Sequence, residues 1–258
     1  MAEYFKKKNI DVRLYGHSPK DKFDGLNNAE VAILGLPAVK DGMVYMPGCQ
    51  RKMTFYEFLK ECPPQISVCG GRFTLKEYSE AEALDIKLFD YSEDEVFQIE
   101  NALYTAEGAV ARVIESTPCS LHYCRILIVG YGRIGKALAK LMSGRMQNVA
   151  VYARKERARA ECKVNGIEAV SELSCCDKYD VIINTVPYTL FDDNLLSSTK
   201  KDVLIVDLSA SPGYVDKELC RKNGRKLLYL PGVPLWSAPQ SAGISAAEAV
   251  ERFTEGNE

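Results

Sequence analysis

"ILIVGYGRIGKAL", residues 126–138, carries the reading of the whole chain. An apolar run ends in Gly130, Gly132 and Gly135, spaced G-x-G-x-x-G, and a helix-like stretch follows. In a dinucleotide-binding turn the first glycine permits the tight turn after a strand. The second lets backbone approach a pyrophosphate, and the third lets the helix pack closely on the sheet. The helix expected from about Arg133 would present free N–H groups and its positive end to the phosphates.

Strand and helix patterns alternate on both sides of this stretch. Downstream, "NVAVYAR" (148–154), "YDVIINTV" (179–186), "DVLIVDLS" (202–209) and "KLLYLPG" (226–232) read as strands, with helices over 133–146 and 155–165. Near-continuous apolar runs suit strands buried on both faces of a parallel sheet. Upstream, "DVRLY" (11–15), "EVAILGL" (30–36), "QISVCG" (65–70) and "DIKLFD" (85–90) read as strands, and 53–62 and 74–84 as helices. A long helix over 93–115 should stop at Thr117-Pro118. The expected fold is α/β, with two Rossmann-like doubly wound domains and a cleft between them. Residues 1–100 would form the first domain and 101–258 the second, and a last helix, 240–256, would return to the first.

Composition narrows the function. The 258 residues carry a formal net charge of -2, which argues against nucleic-acid binding through a general basic field. No apolar run approaches the ~20 residues needed to span a bilayer, and the N-terminus lacks a signal-peptide core, so a cytoplasmic protein is expected. The nine cysteines form no C-x-x-C and only His17 and His122 are available to join them. Free thiols and no metal site are expected.

An NAD site usually places an acid at the end of the second strand, about 20 residues after the glycines. Here that position is Arg154, followed by Lys155, Arg157 and Arg159. A guanidinium can fork onto a 2′-phosphate, so NADP is expected over NAD. "INTVP" (183–187) and "DLSASPG" (207–213) end the next strands at the sheet edge where ligands bind, which makes Asn184, Thr185, Pro187 and Asp207 candidates for the site, or Asp207 a turn cap.

The motifs "VGYGRIGKALA", "VYARKERARA", "YDVIINTVP", "VLIVDLSASPG" and "LPGVPLWSAPQSAG", with "NALYTAEGAVARVIE" (101–115), run in an order that resembles the A subunits of dipicolinate synthase. The likeness covers residues 65–255 well and the first 60 loosely. More distantly, the layout is similar to alanine dehydrogenases, S-adenosylhomocysteine hydrolases and D-2-hydroxyacid dehydrogenases. The resemblance implies a two-domain Rossmann protein that uses NADP. It implies work with a flavoprotein B subunit, oxidising a dihydrodipicolinate-type precursor to pyridine-2,6-dicarboxylate for bacterial sporulation. By position it implies that Gly130, Gly132, Arg133, Ile134 and Gly135 hold the pyrophosphate and that Arg154 and Lys155 meet the 2′-phosphate. Thr185, Val186, Pro187, Asp207 and Leu208 would flank the nucleotide, and Asn101, Thr105, Glu107 and Gly108 would line the cleft.

This chain departs from the family pattern in three places. It opens directly on the helix-like "AEYFKKKN", without the family's first strand and glycine turn. Ser211 stands for a basic residue and Tyr214 for a glycine, and Gln240 stands for a lysine. Two cations suited to a dicarboxylate are therefore absent. Arg72, after a double glycine, is the candidate carboxylate clamp, and Glu107 and Asp207 are the candidate bases. No histidine follows His122, which excludes the imidazole chemistry usual for 2-hydroxyacid dehydrogenation. His122 is expected on the surface, His17 in a loop, and Trp236 as a packing residue. The competing function is a regulatory or partner-binding protein that keeps the nucleotide site without turnover. A homodimer is expected, because a first sheet lacking one strand leaves a bare edge beside "DVRLY".

Overall fold

The computed structural model describes residues 1–16, 26–46, 48, 51–143, 148–174, 176–210 and 213–256. They fall into two compact units, Met1–Gln98 with Gly243–Glu258, and Ile99–Ala242.

The first unit holds helices α1 (Ala2–Lys7), α2 (Phe55–Lys60) and α3 (Leu75–Glu82). Its strands are β1 (Val31–Ile33), β2 (Val39–Lys40), β3 (Met43–Val44), β4 (Ser67–Gly70) and β5 (Lys87–Asp90). Strands β1, β4 and β5 form a parallel sheet in that order, and β2 and β3 a small antiparallel pair. Alternate strand residues feed two cores. Ala32 and Val68 pack with Phe55, Phe58 and Leu59 of α2, while Cys69 packs in a cluster with Phe5, Ala246, Ala247 and Val250. Helix α2 starts on a capping box, in which the Thr54 hydroxyl accepts from the Glu57 amide and Glu57 accepts from the Thr54 amide.

The chain enters the second unit along α4 (Glu95–Ser116), which stops just before Pro118 as expected. Then come β6 (Ile126–Val129), α5 (Arg133–Ser143), β7 (Val149–Tyr152), α6 (Glu156–Val164), β8 (Glu168–Val170), β9 (Val181–Asn184), α7 (Asp193–Ser198), β10 (Leu204–Asp207), α8 (Lys217–Lys222), β11 (Lys226–Tyr229) and α9 (Pro234–Ser237). Helix α10 (Pro239–Glu255) returns the chain to the first unit. The six strands are all parallel, in the order β11-β10-β9-β6-β7-β8. The order reverses between β6 and β9, which is where a dinucleotide-binding sheet opens its crevice. Every residue of β6, β9 and β10 is buried, as their unbroken apolar runs require of strands covered on both faces.

One strand expected from the sequence does not form. Residues 11–15 lie outside regular structure, and Leu14 is half exposed. Helix α1 ends on Asn9 in the left-handed region, and the chain leaves it without meeting a partner strand among the described residues. The edges of the first sheet are therefore β1 and β5, and the bare edge beside "DVRLY" does not exist.

Candidate functional site

The glycine turn is built as its spacing requires. Gly130 follows β6 with φ +105°, and a side chain there would also press on Thr185 and Val186, 2.6 Å from each. A Cβ on Gly135 would come within 2.2 Å of the Gly130 carbonyl oxygen, so α5 packs on the turn only because that side chain is missing. A Cβ on Gly132 would meet nothing within 4 Å. The middle glycine thus borders open space at the start of α5, beside the exposed Arg133 and the half-buried Ile134.

Thr185 closes the other side of the turn. Its amide and hydroxyl both donate to the Val129 carbonyl, at 3.0 and 2.9 Å, which ties the end of β9 to the end of β6. Val186 is half buried and Pro187 is exposed.

Arg154 and Lys155 are exposed at the tip of β7, where α6 begins. Lys155 stands at the N-cap and its side chain makes no capping hydrogen bond. The Arg154 guanidinium lies over the Tyr188 ring, 5.6 Å from its centroid. Arg157 and Lys136, in contrast, are engaged with Glu161, at 3.2 and 2.7 Å. These two cations hold the Glu161 carboxyl below its usual range, with Lys136 contributing most.

Asp207 proves to be a scaffold and not an exposed base. It is fully buried and its two oxygens accept five hydrogen bonds. Asn184 and the Ser209 amide and hydroxyl donate to Oδ1, at 2.9, 3.1 and 2.6 Å. The Tyr214 and Val215 amides donate to Oδ2, at 2.8 and 3.0 Å. A carboxylate so surrounded fixes the loop after β10 and has no free oxygen for a substrate proton. Leu208 is likewise a core residue, packed with Val206 and Leu230.

The residues expected to line a cleft from α4 divide. Glu107 is exposed and Asn101 half buried. The Thr105 hydroxyl donates to the Asn101 carbonyl of its own helix, at 2.7 Å. Gly108 serves packing, since a Cβ there would strike Val233 and Ser237 at 2.4 and 2.6 Å. Arg72, in the first unit, is exposed, has φ +61°, and its amide donates to the Ser92 hydroxyl. His122 is exposed as expected. Trp236, expected to pack, is 47% exposed, with the Arg112 guanidinium 6.0 Å from the centroid of its ring. His17 and Ser211 lie outside the described residues. Among the described residues no group of three or more His, Cys, Asp and Glu could hold a metal ion, and no helix is long and apolar enough to cross a membrane.

Comparison with known proteins agrees with the turn and the strand order. Residues 98–223 match the family model of the D-isomer specific 2-hydroxyacid dehydrogenase, NAD binding domain. The dipicolinate synthase A subunit of Bacillus subtilis (strain 168) is 30% identical over 171 residues, which are 65% of this chain and 57% of that relative. The match thus spans little more than half of the relative's length. The crystal structure of the dipicolinate synthase A subunit from Bacillus subtilis superposes with a TM-score of 0.86 at 24% identity, over 98% of this chain and 91% of that one. The corresponding structure from Bacillus halodurans gives 0.80 at 24% identity over 88% and 80%. A transhydrogenase from Sinorhizobium meliloti gives 0.62 at 14% identity over 76% and 70%. Sheet, turn and family model together define a dehydrogenase-type protein that binds a nicotinamide dinucleotide. Within that class the chain is similar to the dipicolinate synthase A subunits, in sequence over 171 residues and in fold over nearly its whole length.

Proposed function

We propose that the chain is an NADP-dependent oxidoreductase subunit. It oxidises a dihydrodipicolinate-type dicarboxylate to pyridine-2,6-dicarboxylate in the cytoplasm, partnered by a flavoprotein B subunit. The observation that carries the cofactor is the pair of open features at the sheet switch point. Gly132 borders free space, and Arg154 and Lys155 stand where an NAD site would place an acid. Gly130, Gly132, Arg133, Ile134 and Gly135 hold the pyrophosphate through backbone and helix terminus, Thr185, Val186 and Pro187 border the ribose, and Arg154 and Lys155 pair with the 2′-phosphate.

The bound dinucleotide supplies the hydride acceptor. The protein then has to orient the ring and take one proton, which is a light demand because aromatisation itself is favourable. Glu107 is the base, since it is an exposed carboxylate whereas Asp207 is consumed by its loop. Arg72 is the candidate cation for a substrate carboxylate, because Ser211 and Gln240 supply none. The match to the 2-hydroxyacid dehydrogenase domain does not extend to that family's chemistry, because this sequence has no histidine beyond His122.

Turnover of a dihydrodipicolinate precursor with NADP, with and without a flavoprotein partner, tests the activity. Glu107→Gln should lower kcat about 10²- to 10⁴-fold if it moves the proton. NADPH binding with no turnover under any of these conditions would favour the second reading, a regulatory or partner-binding protein. The locked Asp207 and the two missing cations speak for that reading.

A further inference from the structure

Arg154 is held by two residues, one acting on its side chain and one on its backbone. Tyr188 comes from the loop after β9, two strands away from β7, and reaches across the glycine turn. Tyr188 is 38% exposed, so it is not a core residue that Arg154 merely brushes. A guanidinium stacked on a ring face keeps its N–H edges free, and those edges are what a phosphate needs. Among the described residues no carboxylate forms an ion pair with Arg154, unlike Lys136 and Arg157.

Arg159 acts on the main chain. From the first turn of α6 its Nη1 donates back to the carbonyls of Ala153 and Arg154, at 2.9 and 2.7 Å. Carbonyl oxygens left bare at a strand tip would present negative ends to an incoming anion. Covered by a cation, they no longer do so, and the backbone that carries Arg154 is fixed.

We infer that Tyr188 and Arg159 are positioning residues for the 2′-phosphate, which set the preference for NADP over NAD by holding Arg154 in place. This rests on the NADP reading above. Tyr188 fixes the side chain and Arg159 the backbone beneath it, and neither needs to touch the nucleotide.

The test is a fluorescence titration of the full chain with NADPH and with NADH, on the wild type, Tyr188→Ala, Tyr188→Phe and Arg159→Met. The wild type should bind NADPH more tightly. Tyr188→Ala and Arg159→Met should weaken NADPH about three- to tenfold, the size of a partly exposed cation–π contact, and leave NADH unchanged. Tyr188→Phe, which keeps the ring, should keep the preference. A wild type without preference overturns the NADP reading, and the inference with it. A wild type that prefers NADPH overturns the inference alone if Tyr188→Ala keeps the full ratio or weakens both nucleotides equally.

Discussion

Gly132 and Gly135 stand three residues apart and fail in different ways when a side chain is added. At Gly132 a side chain has room, so Gly132→Val should leave the melting temperature near wild type and abolish nucleotide binding. At Gly135 the first carbon already collides with the Gly130 carbonyl, so Gly135→Ala should destabilise the fold by about 1–3 kcal/mol, as overpacking does. Thermal melts with and without NADPH separate the two effects. Asp207 supplies a third case. Asp207→Ala removes the acceptor of five buried or partly buried hydrogen bonds and should cost at least about 3 kcal/mol. If Asp207 were instead a solvent-facing base, the variant would melt as wild type does. The three glycines were legible in the sequence because spacing alone fixes their roles. Tyr188 was not, since only folding brings the loop after β9 to Arg154. Asp207 was half legible: its place at a strand end could be read, but which amides would turn toward it could not.

Among the elements, the buried parallel strands of the second unit were the plainest to read, because continuous apolar runs between turns leave few alternatives. The two-residue strands β2 and β3 are too short to carry a periodicity and are not legible in the sequence. "DVRLY" has the alternation of a strand and still forms none, since a strand exists only where another pairs with it. Electrostatics joins β9 to the segment before β10. Asp180 accepts from Lys200 Nζ at 2.5 Å and from the Arg125 amide at 2.7 Å. Burial pushes its carboxyl up, but Lys200 and the Arg125 amide together hold it below the usual value. A carboxyl depressed in the folded state stabilises the fold above its unfolded pKa, and the contribution is lost as pH falls through the folded value. Lys200→Met should therefore lower stability at pH 6 and converge on the wild type near pH 2. Because both side chains are one-third exposed, the difference at pH 6 should stay within about 1 kcal/mol. Urea unfolding across that range checks the sign, and a gap that widens in acid would contradict it.

For the molecule as a whole, the proposed homodimer no longer rests on an edge at residues 11–15. It rests on the frequency of two-fold assembly among soluble proteins. Sedimentation velocity at micromolar concentration should show a species of twice 28.7 kDa, and a clean monomer would contradict it. The central claim is narrower and can be tested on the chain alone: a Rossmann turn open above Gly132, with cations where an acid would select NAD, binds NADP(H) in preference to NAD(H). Isothermal titration of the purified chain with NADPH and NADH at one salt concentration measures this directly. One charge-assisted contact to the 2′-phosphate predicts NADPH binding tighter by roughly ten- to a hundredfold. Equal affinities, or tighter NADH, would contradict the account.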